Sequence, residues 1–464
     1  MQMKLYSEIK KSVIELYYLK SSRTTESNKK KFIRKIFVSG ITSIFLLLLI
    51  IYSLPKTVLS VSALIEYSII VSLVIFLLIL LVRYFALLIF SYLYLTEYTF
   101  KNNKNFNPFV SIIIPVFNEE KILDMTIESL LKLNYSAYEI IIVNDGSNDN
   151  TQEVAERLIG YKNGVYNKIK ISLINKKNNG KSTALNAGIK ISRGEFILCM
   201  DGDSQLAPNS LIMAVRHFSN PEIGAVAGNV KVLNRGKFLT DLQALEYVEG
   251  LNLARSAQSF LKLVNIIPGP IGIFRKIAIE NAGYYDSDTF AEDADLTLRI
   301  LAAGWKIYYE PKSISYTEAP ATLQQLLKQR YRWTRGILQS IRKHKKLLVN
   351  PTINFGNTFI LWMMLFEALI WPVMNLAANA FFIFAALAFG FTSLIFFWWA
   401  GLALLDLMTA IYSVAAEKEE FSLVAYAVIY RMVFILIVDV CKVMSTVEEF
   451  LGIKMQWGKL ERVG

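Results

Sequence analysis

The chain is 464 residues long, 54% hydrophobic, with a mean hydropathy of +0.38, which is too apolar for an ordinary soluble protein. Its formal charge of +12 comes from 50 Lys+Arg against 38 Asp+Glu. Much of this excess sits beside a hydrophobic run, which argues for a membrane surface and against nucleic acid as the partner.

Residues 1–35 form a basic arm that ends where the first apolar run begins, a pattern that places the arm in the cytoplasm. The arm is polar and precedes any apolar stretch, so no cleavable signal peptide is expected. Residues 36–97 then hold two expected transmembrane helices, about 36–54 and about 63–95, each long enough for the roughly 20 residues a bilayer needs. Residues 98–325 change character. Short β-rich runs (Val110–Pro115, Glu139–Val143, Ile169–Ile174, Glu195–Met200, Gly224–Val232) alternate with helical patterns such as Glu119–Leu133 and Thr151–Ile159. Alternation of this kind predicts a mainly parallel sheet covered by helices, with ligands beyond the carboxyl ends of the strands. Residues 326–350 predict an interfacial helix. Residues 351–443 predict about four further spans, near 356–375, 377–393, 395–414 and 422–443, and residues 444–464 a cytosolic tail. Cys199 and Cys441 lie in apolar segments and support neither a disulfide framework nor a Cys-based zinc site.

Polar residues gather at the strand ends. "SIIIPVFNEE" closes a strand at Pro115 and runs into Glu119, and "IIIVNDGSNDNT" closes another at Asp145. "KKNNGKSTALNAG" presents Lys181 after a glycine turn, where a cation can meet phosphate. Asn175 stands where a Walker loop needs its first glycine, so that motif is incomplete. "FILCMDGDSQL" delivers Asp201 and Asp203 around Gly202, hard oxygen donors of the kind Mg2+ or Mn2+ takes. Taken singly, each is also an ordinary strand-to-turn signal. Downstream, "IPGPIGIFRK" puts Gly269 and Pro270 on a compact loop. Glu292 and Asp293 head a helical pattern, a position where acids also serve as dipole partners. "QRYRWTRG" then sets Gln329, Arg332 and Trp333 at the edge of the next apolar region. Tryptophan offers a flat face to a sugar ring and arginine a fork to diphosphate oxygens. A helix lying on the membrane, with Arg330, Arg335, Arg342 and Lys343 at headgroup level, fits the same residues.

In this order the segments resemble the membrane-embedded family 2 glycosyltransferases, a group that includes cellulose, poly-N-acetylglucosamine, hyaluronan and chitin synthases. The resemblance implies an α/β GT-A (Rossmann-like) cytosolic catalytic domain inserted between transmembrane α-helices. It implies that Pro115, Glu119, Asp145 and Asp201 hold the nucleoside, and that Lys181 and Arg332 lie near the diphosphate. Asp203 is implied as the ligand of Mg2+ or Mn2+. Asp293, beside Glu292, is implied as the general base, although Ala291 stands where those enzymes have Thr. Gln329, Trp333, Gly269 and Pro270 are implied around the acceptor terminus. The segment with Trp457, Lys459 and Arg462 is similar to a gating loop in hyaluronan and chitin synthases, and is also compatible with an interfacial Trp flanked by basic anchors.

The function expected from the resemblance is processive, inverting polymerisation of UDP-glucose or UDP-N-acetylglucosamine into a β-linked polysaccharide translocated across the plasma membrane. The expected partners are a UDP-sugar donor, the growing polysaccharide and the lipid bilayer, with room for an accessory subunit. A second reading is transfer of one sugar to a membrane lipid, without processivity. A third, a scaffold or transporter with a degenerate transferase domain, conflicts with the joint presence of Asp145, Asp201, Asp203, Asp293 and Trp333. Glu367, Asp406, Arg431 and Asp439 fall within apolar runs, where ionisable groups are costly and face polar interiors.

Overall fold

The computed structural model describes residues 61–97, 106–389 and 393–453. These divide into two compact units, one holding residues 61–97, 373–389 and 393–436, the other residues 106–372 and 437–453. The arm, the first expected span and the tail with Trp457, Lys459 and Arg462 lie outside the described residues.

The larger unit is built on a nine-stranded sheet: β1 Val110–Val116, β2 Tyr138–Asn144, β3 Gly160–Asn163, β4 Lys168–Asn175, β5 Phe196–Cys199, β6 Gln205–Leu206, β7 Ile223–Val232, β8 Gly272–Arg275 and β9 Lys306–Thr317. The order across the sheet is β3-β4-β2-β1-β5-β8-β7-β9-β6. β4, β2, β1 and β5 run parallel. The apolar runs of β1, β2 and β5 are buried along nearly their whole length, as strands covered by helices on both faces require, whereas β4 alternates buried and exposed residues. β8 runs antiparallel to both its neighbours, and Gly272 at its start is paired with Cys199 at the end of β5. That register sets the loop before β8 directly beside the turn after β5. Short β3, β6 and β8 and the long β9 extend the sheet beyond the strands expected, because neither their length nor their alternation separates them from loop in the sequence.

Helices Glu292–Ala302 and Leu323–Lys343 belong to the same unit. Gly336 lets them close: a Cβ there would lie 2.6 Å from both the Cβ and the backbone N of Ala291. The end of helix Ile435–Phe450 also docks on Leu323–Lys343, with the Arg335 guanidinium 2.7 Å from Glu449 and a second bond at 2.7 Å to the Ile453 carbonyl.

Four helices among the described residues are long and apolar enough to cross a bilayer: Val74–Thr96, Phe355–Phe384, Trp399–Ala416 and Phe421–Phe450. The protein is a multi-pass membrane protein. The break expected near residue 376 is absent. Helix Phe355–Leu365 continues through a π-helical turn, Phe366–Ile370, into Trp371–Phe389. Pro372 stands just after that turn, which absorbs the hydrogen bond the proline cannot make, so the helix carries on where the sequence suggested an end. In the smaller unit, the Arg431 guanidinium lies 3.1 Å from Asp406, both nearly fully buried, and the Tyr84 hydroxyl donates to the same carboxylate.

Candidate active site

The site forms where β1, β2, β4 and β5 end. Beyond β1, Asn118 takes a left-handed conformation (φ 55°) and ties itself to the neighbouring loop. Its backbone N–H donates to the Ser147 hydroxyl (3.0 Å), and its side-chain oxygen accepts from the N–H of Asn148 (2.8 Å). The Glu119 N–H donates to the Thr151 hydroxyl at 2.7 Å. Beyond β2, the buried Asp145 carboxylate accepts the N–H groups of Asn179 (3.1 Å) and Gly180 (2.9 Å) and pairs with the Lys176 ammonium. Asp145 therefore shapes the 176–180 loop and, through it, the start of helix Lys181–Ile191.

The turn after β5 meets both groups. Gly202 lies against the Pro115 carbonyl, 3.0 Å from where its Cβ would be, and its own carbonyl accepts from Thr126 at 2.9 Å. On one side of it, the Lys181 ammonium pairs with Asp201 at 2.6 Å and with Glu292 at 2.9 Å. Gly269 closes over this pair. A Cβ at that position would come within 2.9 Å of the Lys181 nitrogen and 3.2 Å of both Asp201 oxygens, so a larger residue there would displace the ends of these two side chains. Pro270 faces the sheet, its carbonyl accepting from the Ser315 hydroxyl at 3.1 Å. Lys181, Gly269, Glu292 and Asp293 share one pocket with Cys199, Met200, Phe274 and Tyr285.

Burial, then the neighbouring Glu292 carboxylate, pushes Asp293 up to about 6, with Lys181 pulling the other way. Lys181 itself stays protonated: burial disfavours its charge, but Asp201, Glu292 and Asp293 together raise its pKa. Burial pushes the Cys199 thiol up to about 12, which keeps it a thiol at neutral pH. Asp293 is thus a carboxylate of tuned basicity, while Glu292, next to it in sequence, is engaged by Lys181.

The Gln329–Trp333 segment lies within helix Leu323–Lys343. Arg330 and Arg335, which the sequence allowed at headgroup level, are both buried in ion pairs, with Glu246 and Glu449. Lys343 reaches Asp286, Asp288 and Asp295 at 2.8, 2.9 and 3.1 Å. Asp295, in the first turn of helix Glu292–Ala302, is fully buried. Against a burial that would raise it, His344, Arg299 and Lys343 draw it down to about 2. Cys199, Tyr285, Glu246 and Gly336 carry no motif signal. Their roles arise from strand register and helix packing, which a single sequence does not display.

Two carboxylate groups invite a metal. The oxygens of Asp286, Asp288 and Asp295 lie within 4.8 Å of one another, a spacing capable of holding a divalent ion. The Lys343 ammonium already bonds all three, which supplies a cation where the ion would go. Asp203 is 7% exposed, follows directly from the turn packed on Pro115, and accepts from the Ser204 hydroxyl at 3.3 Å. As a hard oxygen donor at the strand ends it fits Mg2+ or Mn2+ chemistry.

Residues 111–281, which hold these strand ends and both loops, match the family described as Glycosyl transferase family 2. Over these residues the chain is similar to that family. It is 33% identical over 228 residues to a poly-beta-1,6-N-acetyl-D-glucosamine synthase of Staphylococcus epidermidis, covering 49% of this chain and 54% of that one. It has the same identity, over 230 residues, to the enzyme of that name from Staphylococcus aureus strain COL. The matched region spans about half the length of these curated relatives. A mannosyltransferase from Pyrobaculum calidifontis, solved with GDP-Man and Mn2+, shares the fold with a TM-score of 0.57 at 18% identity, covering 80% of this chain and 97% of that one. The α/β domain is cytoplasmic and flanked in sequence by the apolar helices, the side indicated by the basic arm.

Proposed function

We propose that this protein is a processive, inverting glycosyltransferase that adds sugars from a UDP-sugar to the end of a growing β-linked polysaccharide and passes the product across the plasma membrane. The observation that carries the reading is the Asp293 carboxylate, raised by burial and Glu292 and set in one pocket with Lys181 and Gly269. Pro115, Glu119 and the loop shaped by Asp145 form the wall for the uridine, and Asp201 lies at its edge. Asp293 takes the proton from an acceptor hydroxyl as that oxygen attacks the anomeric carbon. The bond from that carbon to the diphosphate breaks, and its electron pair leaves with UDP. Attack from the opposite face of an α-linked donor gives a β-linked product. Lys181, released from Asp201 and Glu292, turns its charge to the diphosphate, and Arg332 offers a second cation there. A divalent ion held by Asp203 would supply further positive charge for the departing diphosphate. Gln329 and Trp333 receive the acceptor sugar.

Two measurements test this reading. Removing divalent cations with a chelator is expected to stop transfer, and added Mn2+ or Mg2+ to restore it. Asp203→Asn should weaken the metal response at least tenfold, whereas Asp288→Asn should leave it intact. A metal response carried by Asp288 would move the ion to the Lys343 cluster. A product of one sugar on a lipid would replace the polymerase reading with the lipid-acceptor one.

A further inference from the structure

Helix Phe238–Leu245 passes through a π-helical turn, Glu246–Asn252, before resuming as Leu253–Phe260. Such turns are frequent at functional sites, and this one begins at Glu246. Both its oxygens grip the Arg330 guanidinium, with Nε donating to Oε1 at 3.2 Å and Nη2 to Oε2. Arg330 is 3% exposed and Glu246 15%, so the pair is shielded from water and salt. The remaining edge of the guanidinium, Nη1, donates to the Gln329 side-chain oxygen. Its face lies over the Trp333 ring, 4.3 Å from the centroid. Tyr247, next to Glu246, is buried and lies within electrostatic reach of both Arg330 and Asp203.

One guanidinium thus holds both Gln329 and Trp333, using its edge for one and its face for the other. We propose that Arg330, anchored by Glu246, is the positioning residue that fixes Gln329 and Trp333 as a single acceptor-sugar platform. What the platform binds rests on the sugar-transfer reading. Its geometry does not. A lysine cannot take this place, because a point charge has neither the bidentate edge nor the stacking face.

The test uses the full chain in nanodiscs, a short β-linked oligosaccharide as acceptor, and a double-mutant cycle. Glu246→Gln should raise the acceptor KM roughly tenfold with the donor KM unchanged, and add nothing in a Trp333→Ala background. Additive effects, or a rise in donor KM alone, would overturn the proposal. Arg330→Lys, which keeps the charge, should behave like Glu246→Gln, and a wild-type acceptor KM would equally overturn it. Cryo-electron microscopy of Glu246→Gln gives an arm independent of activity: Trp333 should leave its stacked position, and an unmoved indole refutes the proposal. If the wild type transfers no sugar, the function reading fails while this structural arm still decides the positioning role.

Discussion

Asp293 unites the electrostatics and the chemistry of the site. Its pKa in the folded chain, about 6, lies above the ordinary aspartate value, so the folded state binds the proton more tightly than the unfolded chain. The cost of its charge is therefore fully present above pH 6 and is relieved as pH falls through that value. Asp293→Asn should abolish transfer, retain UDP binding, and stabilise the protein by up to about 3 kcal/mol at pH 7.5, with the gain shrinking by pH 5. Thermal unfolding at the two pH values checks the sign. In the wild type, transfer should fall as pH drops below about 6. Because Glu292 raises Asp293, Glu292→Gln should shift that acid limb to lower pH; a shift upward would contradict the assignment. The sequence singled out Asp293 and Asp203 through motif order. It could not show that Glu292 is held by Lys181, since that pairing depends on β5 bringing Asp201 beside the start of another helix.

Among the elements, helix Leu323–Lys343 ties the site together. It packs through Gly336 on Ala291, immediately before Glu292, and the Gln339 side chain accepts the Phe290 N–H at 3.1 Å. Its last turn, through Lys343 and His344, grips Asp295 on the helix that carries Asp293. Alanine is the better helix former by about 1 kcal/mol, so on propensity alone Gly336→Ala would stabilise. The 2.6 Å clash predicts the reverse, a loss of about 1–3 kcal/mol together with reduced transfer; denaturant unfolding decides between them. The sequence exposed this helix by its basic and aromatic pattern, yet it left Arg330 and Arg335 free to face lipid. Arg330 and Arg335 look alike in composition whether they meet headgroups or buried glutamates, and their partners Glu246 and Glu449 lie 84 and 114 residues away.

Among the described residues, apolar length picks out four helices long enough to cross a bilayer, three of them after the α/β region where four were expected. Their internal breaks were less legible. The break expected near residue 376 is absent, and a π-helical turn just before Pro372 lets the helix run on. The buried charges were flagged, and Asp406 and Arg431 prove to be partners. Arg431→Met should therefore destabilise by about 3–5 kcal/mol, and adding Asp406→Asn should recover most of that loss, as read by thermal denaturation in detergent. The central claim concerns what the cytoplasmic domain makes. The direct measurement is purified protein in nanodiscs supplied in turn with radiolabelled UDP-glucose and UDP-N-acetylglucosamine, with Asp293→Asn as the control. High-molecular-weight, β-linked product from one of these donors, absent in the variant, is the predicted result. Failure of both to yield polymer, or polymer undiminished in Asp293→Asn, would contradict it.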